Sequence, residues 1–367
     1  MKFTCERNVL LKEVAIAQEI IASKNAISIL SNIYLETEDS VLVIRATDIK
    51  VNFETRIPVE VVEKGSTTVF GEKFLGILSA IPDGELEFEQ KDINIVIRPR
   101  AKKIKFQLRC IASEKYPEFP AFNKEKFFEI PVRDYKDMIK QTIFAVSDDE
   151  TRYFMNGVFF KKEGDKMIMV ATDGRRLAYA EKITGEKVED FGGVIIPPKI
   201  LGILMRRAGD EGLIGISITD KNVFINFGSY KLSSVLIDGQ FPNYQRVIPE
   251  TQEYSFTVNR LETLEALKRV SLLVEQKSRR VYMGVAPGLM SVSSEESDIG
   301  NAKEEIPCKY DGEEVSIALN YRYIEEPFKV MEGEEISVYF TEASKAITIK
   351  PVPEKDFFHI VMPMNLD

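Results

Sequence analysis

Residues 3–22, FTCERNVLLKEVAIAQEIIA, start as a short extended piece and then place Leu10, Val14, Ala17 and Ile21 at intervals of three and four. That spacing predicts a helix with one apolar stripe. The same pattern opens two later segments. Residues 128–147, FEIPVRDYKDMIKQTIFAVS, put Tyr135, Ile139 and Ile143 on one face. Residues 256–275, FTVNRLETLEALKRVSLLVE, do so with Leu261, Leu264, Leu267 and Leu272. Each segment begins with Phe and carries a basic residue just before or at the start of its helix.

The elements after each opening helix also repeat. Ile33–Glu36 with Val41–Asp48, Gly157–Phe160 with Met167–Asp173, and Arg280–Met283 with Leu289–Ser293 read as strand pairs. Ala-Thr-Asp ends the second strand at both 46–48 and 171–173. Second helices are predicted at Glu72–Ala80, Pro198–Arg207 and Asn320–Val330. Each comes after a β-rich stretch and precedes a turn at Asp83-Gly84, Asp210-Glu211-Gly212 or Glu332-Gly333. Further strand pairs come next, with alternation in Ile93–Ile97 and Val223–Phe227. The first two copies close on an aromatic-Pro corner, and the third on the strand Phe357–Asp367, which carries the chain terminus. The chain is therefore expected to be α+β, with three copies of one domain at 1–125, 126–250 and 251–367, each built of two similar halves.

Composition narrows the chemistry. The net charge of −9 argues against gripping nucleic acid with the whole surface, but not against a basic face confined to the helices. No apolar run reaches membrane-spanning length and no signal peptide is recognisable, so a cytoplasmic protein with no membrane partner is expected. Cys5, Cys110 and Cys308 are widely separated and form no metal or disulfide pattern. His359 is the single histidine, which leaves little for hydrolase or metalloenzyme chemistry and reads as a strand residue. Asp148-Asp149-Glu150 is an acidic run after a helix, and adjacent residues there splay apart rather than converge. No nucleotide-binding P-loop motif occurs. No cofactor, metal or catalytic residue is expected.

Five motifs then carry a resemblance along the whole length. They are Met1–Thr4 with Glu6-Arg7 and Leu10–Lys12, Thr151–Gly157, Ala171–Ala178, Asp238–Tyr244 with Arg246–Pro249, and Val361–Met364. In these the chain resembles the bacterial DNA sliding clamp family, the β subunit of the replicative DNA polymerase. The resemblance implies three equivalent DNA-clamp domains with helices inside and antiparallel sheets outside, closed by two chains into a head-to-tail dimeric ring. Such a ring encircles double-stranded DNA without sequence preference. It tethers the DNA polymerase catalytic subunit, is opened by a clamp-loader ATPase, and serves other proteins that carry a clamp-binding motif.

The resemblance also implies site residues. A partner-peptide pocket would comprise Arg152, Met155, Thr172, Gly174, Arg175, Arg176, Leu177, Pro242, Val247, Tyr323, Ile360, Met362, Pro363 and Met364. Lys24, Lys73, Tyr153 and Phe154 would touch DNA at the ring face, and if helices line the hole, Arg7, Lys136, Lys140, Lys199 and Arg206 join them. Lys103, Lys105, Phe106 and Leu108 on a candidate edge strand would meet Leu272, Leu273, Glu304 and Glu305 across a dimer junction. Two readings compete with this one. The first is an enzyme built on the acidic run. The second is a monomeric peptide-binding scaffold, which ring closure would separate from a clamp.

Overall fold

A computed structural model describes residues 1–21, 28–120, 122, 126–184 and 190–365. The first repeat holds β1 (Lys2–Glu6), α1 (Arg7–Ile20), β2 (Asn32–Glu38), β3 (Val41–Thr47), β4 (Val51–Pro58), β5 (Glu60–Glu63), β6 (Gly65–Phe70), α2 (Gly71–Ala80), β7 (Glu85–Lys91), β8 (Asn94–Pro99) and β9 (Phe106–Ile111). The second holds β10 (Phe128–Pro131), α3 (Val132–Thr142), β11 (Val158–Glu163), β12 (Lys166–Thr172), β13 (Arg176–Ile183), β14 (Phe191–Ile196), α4 (Pro198–Arg207), β15 (Leu213–Ile218), β16 (Asn222–Phe227) and β17 (Tyr230–Val235). The third holds β18 (Tyr254–Asn259), α5 (Arg260–Val270), β19 (Arg280–Ala286), β20 (Leu289–Ser294), β21 (Lys303–Lys309), β22 (Val315–Asn320), α6 (Tyr321–Val330), β23 (Glu335–Phe340), β24 (Ile347–Val352) and β25 (Phe357–Val361). Apart from β5, each element has a counterpart in the other two repeats.

The three opening helices form where periodicity placed them, but not every apolar residue faces the core. In α1, Leu10, Val14, Ala17 and Ile20 are buried, while Ile21 is the buried C-cap residue just past the end. Tyr135 and Ile139 of α3 are fully buried, whereas Ile143 lies in a following 3-10 turn. In α5 the buried stripe is Thr263, Ala266, Leu267 and Val270. Leu261 and Leu272, expected on that stripe, are 60% and 79% exposed. Ile95, Val96 and Ile97 are all buried, so β8 is covered on both faces and strict alternation does not hold there.

Each opening helix is hooked at its start to the turn after its partner helix. Arg7 N–H donates to Gly84 O at 3.0 Å, Val132 N–H to Gly212 O at 3.0 Å, and Arg260 N–H to Glu334 O at 2.8 Å. Asn259 and Asn320 cap α5 and α6 by accepting from Glu262 and Arg322 N–H. The turn after each second helix thus serves as a fixed point of the fold.

Packing divides the chain differently from the repeats. One compact unit comprises Met1–Val132 and Lys199–Leu236, the other Arg133–Pro198 and Ile237–Asp367. The middle repeat is split, giving β10, α4 and β15–β17 to the first unit and α3 and β11–β14 to the second. The first unit holds a 13-stranded sheet, β10-β15-β16-β17-β4-β3-β2-β6-β9-β8-β7-β1-β5, and the second a 12-stranded sheet, β14-β11-β12-β13-β25-β24-β23-β18-β21-β20-β19-β22. Two seams join different repeats within a unit: β4 with β17, and β13 with β25, both antiparallel.

Candidate peptide-docking, nucleic-acid and subunit sites

Thr172-Asp173-Gly174-Arg175-Arg176 turns the chain from β12 into β13 within the second unit. Thr172 Oγ1 accepts from Gly174 N–H at 3.1 Å, and Asp173 Oδ1 accepts from Arg175 and Arg176 N–H at 2.9 and 3.1 Å. These short side chains hold the turn by satisfying its backbone donors. Gly174 has φ +87°, where a side chain is strained, and an added Cβ would lie 2.8 Å from Arg152 Nη1. The Arg152 guanidinium is therefore seated against the turn, its Nε donating to Asp149 Oδ2 at 2.8 Å.

Arg176 organises the floor of this region. Its Nε donates to Asp173 Oδ2 at 3.1 Å, Nη2 to Phe144 O at 2.7 Å, and Nη1 to Glu326, while the guanidinium lies 4.5 Å over the Tyr323 ring. Burial raises the Tyr323 hydroxyl pKa, with Asp173 adding to it. Arg176 pairs with Val361 and Leu177 with Ile360 along the seam, and Met362 N–H donates to Arg175 O at 2.9 Å. Met364 N–H donates to Ala318 O at 2.8 Å, which carries the chain past Pro363 toward the third repeat's β22.

The apolar floor is a buried cluster of Ile168, Val170, Leu177, Ile195, Phe241, Tyr244 and Ile360. Pro242 and the 3-10 turn Tyr244–Val247 come after Phe241, whose ring stacks on Phe159 at 4.8 Å. Buried Leu177, Ile360 and Met155 contrast with Val247 and Met362, which are 51% and 43% exposed. Every residue expected in the pocket falls in the second unit. Hydrogen bonds, strand pairing and close side-chain approach join Arg152, Thr172, Gly174, Arg175, Arg176, Leu177, Tyr323, Ile360 and Met362. Exposed apolar groups beside a buried apolar floor, flanked by Arg152 and Arg175, suit a short apolar segment with acidic character. Sequence reasoning missed Asp173, Phe144 and Glu326 as the groups that orient Arg176. The repeated Thr-Asp pair signalled the first, but Phe144 and Glu326 are distant in sequence and carried no signal.

The residues expected on DNA are more varied. Lys24 lies outside the described residues. Arg7 has a different role: its Nε donates to Leu78 O at 2.7 Å, Nη2 to Ser79 O at 3.1 Å, and Nη1 pairs with Asp83 at 2.7 Å. It thereby closes the C-terminal end of α2, where carbonyls lack partners. Lys199 pairs with Asp48 at 2.6 Å and donates to Ile20 O at 2.7 Å. Arg206 pairs with Glu19 at 2.6 Å, and Lys140 with Glu332 at 3.0 Å. Lys136 is half-buried. Lys73 is exposed and meets only its neighbour Glu72, at 3.3 Å, among the ion pairs of the described residues. Tyr153 is exposed, and its ring sits 5.8 Å from that of Phe154, which packs on the apolar cluster.

The subunit strands are unusual in their pairing. β9 was expected at an edge, and it is internal in the sheet order, between β6 and β8. Yet Phe106–Arg109 pair with β8 alone, and only Cys110 and Ile111 meet β6. β21 behaves the same way: Lys303–Pro307 pair with β20 alone, and Cys308 and Lys309 meet β18. Glu304 is held by Arg269 at 2.6 and 2.8 Å, which lowers its pKa, and Glu305 pairs with Lys303 at 2.9 Å. Leu272 is exposed and Leu273 half-buried, both in the 3-10 turn after α5.

Family models for the N-terminal, central and C-terminal domains of the DNA polymerase III beta subunit match residues 1–120, 129–243 and 245–365. Across the full length of both chains, the sequence is 49% identical to the beta sliding clamp of Treponema pallidum and 27% identical to that of Escherichia coli K12. The fold matches a DnaN sliding clamp from Bartonella birtlesii bound to griselimycin, with TM-score 0.94, 27% identity and all of both chains covered. A DNA polymerase sliding clamp from Bacillus subtilis matches with TM-score 0.93 and 28% identity, again over both whole chains. The chain belongs to the bacterial beta sliding clamp family.

The three repeats are clamp domains, each matched in turn by one of the three domain models. His359 is buried on β25, with Nε2 3.3 Å from Gln141 Oε1, and burial beside Arg176 lowers its pKa to about 3. Burial pushes the Cys5 thiol up to about 12. Asp149 is held near 2 by hydrogen bonds from Thr151 and Arg152, so it caps a 3-10 turn rather than joining Asp148 in a paired acid site.

Proposed function

We propose that two copies of this chain close head to tail into a ring that encircles duplex DNA, slides on it, and tethers DNA polymerase through the docking region at the β13–β25 seam. The domains are taken as 1–125, 126–250 and 251–367. One observation carries the reading. Repeats are joined twice within the chain, by β4 with β17 and by β13 with β25. The third counterparts of these strands are β21 and β9, and each keeps an unpaired stretch of edge. A strand edge of this kind is a template for another chain. β9 of one chain therefore pairs with β21 of its partner, with Lys103 and Lys105 beside the acidic Glu304 and Glu305. Phe106, Leu108, Leu272 and Leu273 supply the apolar contacts. Two such junctions close a ring of six domains, with helices toward the hole and sheets outside.

In this reading the chain performs no chemistry and needs no cofactor or metal. Retention on DNA is topological, so phosphate contacts only centre the duplex and carry no sequence information. Lys73, Tyr153, Lys24 and Phe154 are assigned to DNA at the ring face, with Lys136, Lys140, Lys199 and Arg206 contributing a positive field from the helices. Arg7 is left out because its guanidinium is anchored on the C-terminal carbonyls of α2. A clamp-loader ATPase opens the ring, and other proteins bearing a clamp-binding motif share the docking region with the polymerase. The protein works in the cytoplasm.

The test is to load the protein with a clamp loader and ATP onto nicked circular DNA and then linearise the DNA. Loss from the linear form with retention on circles supports the ring. Equal retention on both means binding by contact and overturns it. Failure to load, together with a monomeric mass, returns the chain to a peptide-binding scaffold.

A further inference from the structure

The backbone of the docking region occurs twice. In the first unit, Thr47-Asp48-Ile49-Lys50-Val51 turns β3 into β4 as Thr172-Asp173-Gly174-Arg175-Arg176 turns β12 into β13. Thr47 Oγ1 accepts from Ile49 N–H at 2.9 Å, and Asp48 Oδ1 accepts from Lys50 and Val51 N–H at 3.0 and 2.7 Å. The seams match as well: Val51 pairs with Ser234 and Asn52 with Ser233, as Arg176 pairs with Val361 and Leu177 with Ile360. Val235 N–H donates to Lys50 O at 2.9 Å, the counterpart of the bond from Met362 to Arg175. Val235 is about as exposed as Met362, at 42%.

The two seams differ in their floors. Leu177 and Ile360 are replaced by Asn52 and Ser233. Asn52 Nδ2 donates to Ser233 Oγ at 3.1 Å, and Thr47 Oγ1 donates to Asn52 Oδ1 at 2.7 Å, so this buried floor is a closed polar network. Val170 opposite Tyr179 becomes Arg45 opposite Glu54, ion-paired at 2.8 Å. Above them Phe122 packs edge-on against Phe224 at 5.1 Å and lies under Lys231 Nζ at 5.8 Å.

We infer that the two seams are copies of one docking scaffold, and that the floor pair Leu177/Ile360 against Asn52/Ser233 selects which copy takes apolar peptide anchors. The inference rests on the proposed docking function and names what determines its specificity. An apolar anchor gains from an apolar floor by leaving water, and gains little over a floor whose polar groups already satisfy one another. Phe122 adds a bulky ring to the disfavoured copy.

The test is disulfide exchange at single cysteines in a Cys110→Ser/Cys308→Ser background, with phenylethyl and hydroxyethyl disulfides competing and adducts weighed by intact mass spectrometry. Met362→Cys is expected to favour the phenylethyl group by about tenfold, and Val235→Cys to show no preference. Adding Asn52→Leu, Ser233→Ile and Phe122→Val should confer the preference on Val235→Cys. The reverse pair, Leu177→Asn with Ile360→Ser, should remove it from Met362→Cys and keeps the question open to test if the first set fails to fold. Equal preference at Val235→Cys and Met362→Cys with native floors overturns the inference alone. So does a folded floor exchange, in either direction, that leaves the preferences unmoved. No preference at Met362→Cys overturns the docking reading itself, and this inference with it.

Discussion

The two matching turns place opposite demands on one backbone position, and exchanging their residues gives a signed stability test. Gly174 sits at φ +87° and Ile49 at φ +78°. An L-residue in this region costs roughly 1–2 kcal/mol, and a β-branched one is at the unfavourable end. Three side-chain hydrogen bonds hold each turn, so the backbone cannot relax without losing them. Gly174→Ala would bear that strain. Arg152, the group its Cβ would meet, ends in a flexible guanidinium that can shift, so the steric addition is small. Against the strain stands a gain of about 0.4–1 kcal/mol from a less flexible unfolded chain. The expected net loss is about 0.5–1.5 kcal/mol. Ile49→Gly reverses both terms. Ile49 is 58% exposed and loses little burial, so a net gain of up to about 1 kcal/mol is expected. Urea unfolding followed by far-UV circular dichroism measures both, and hydrogen exchange at the two turns assigns each change to its unit. A neutral Gly174→Ala, or an Ile49→Gly that loses more than about 0.5 kcal/mol, would refute the strain argument.

Arg176→Met strips bonds from Asp173, Glu326 and the Phe144 carbonyl in a nearly buried setting, and should cost about 2–4 kcal/mol in thermal or urea unfolding. A loss below about 1 kcal/mol would mean that these groups find water instead. His359 has its folded pKa depressed to about 3 against an ordinary 6.5, so as pH falls below 6.5 the unfolded state takes up a proton that the folded state refuses. Stability should therefore fall with acidification between about pH 6.5 and 3, by up to about 1.4 kcal/mol per pH unit, and His359→Gln should remove that part of the slope. Unchanged slopes between about pH 5 and 6.5 in the variant would exclude the histidine as the source. Leu273→Asp should yield monomers by light scattering. An unchanged dimer mass would remove that residue from the subunit junction.

The sequence alone determined the elements and their threefold order. Helix faces spaced by three and four, turn glycines after each second helix, and the Thr-Asp pair that caps two turns are local signals, set by groups a few residues apart. The strands missed as separate elements were β4, β5, β13 and β21, whose runs carry Glu54 and Arg56, Glu60 and Glu63, Glu181 and Lys182, and Glu304 and Glu305. β4, β13 and β21 each form one side of a seam or keep an open edge, and that side was less legible than their counterparts β17, β25 and β9. Only the tertiary structure decided that Leu261 and Leu272 face outward, that Arg7 closes α2, and that the middle repeat is shared between two compact units. The docking region shows the same division. Thr172, Asp173 and Gly174 could be read as a turn, but the pairing of Leu177 with Ile360 and the seating of Arg176 on Glu326 join residues far apart in sequence. Such contacts depend on which faces remain to be buried once the local elements exist, and that is a property of the whole packed chain rather than of any one segment.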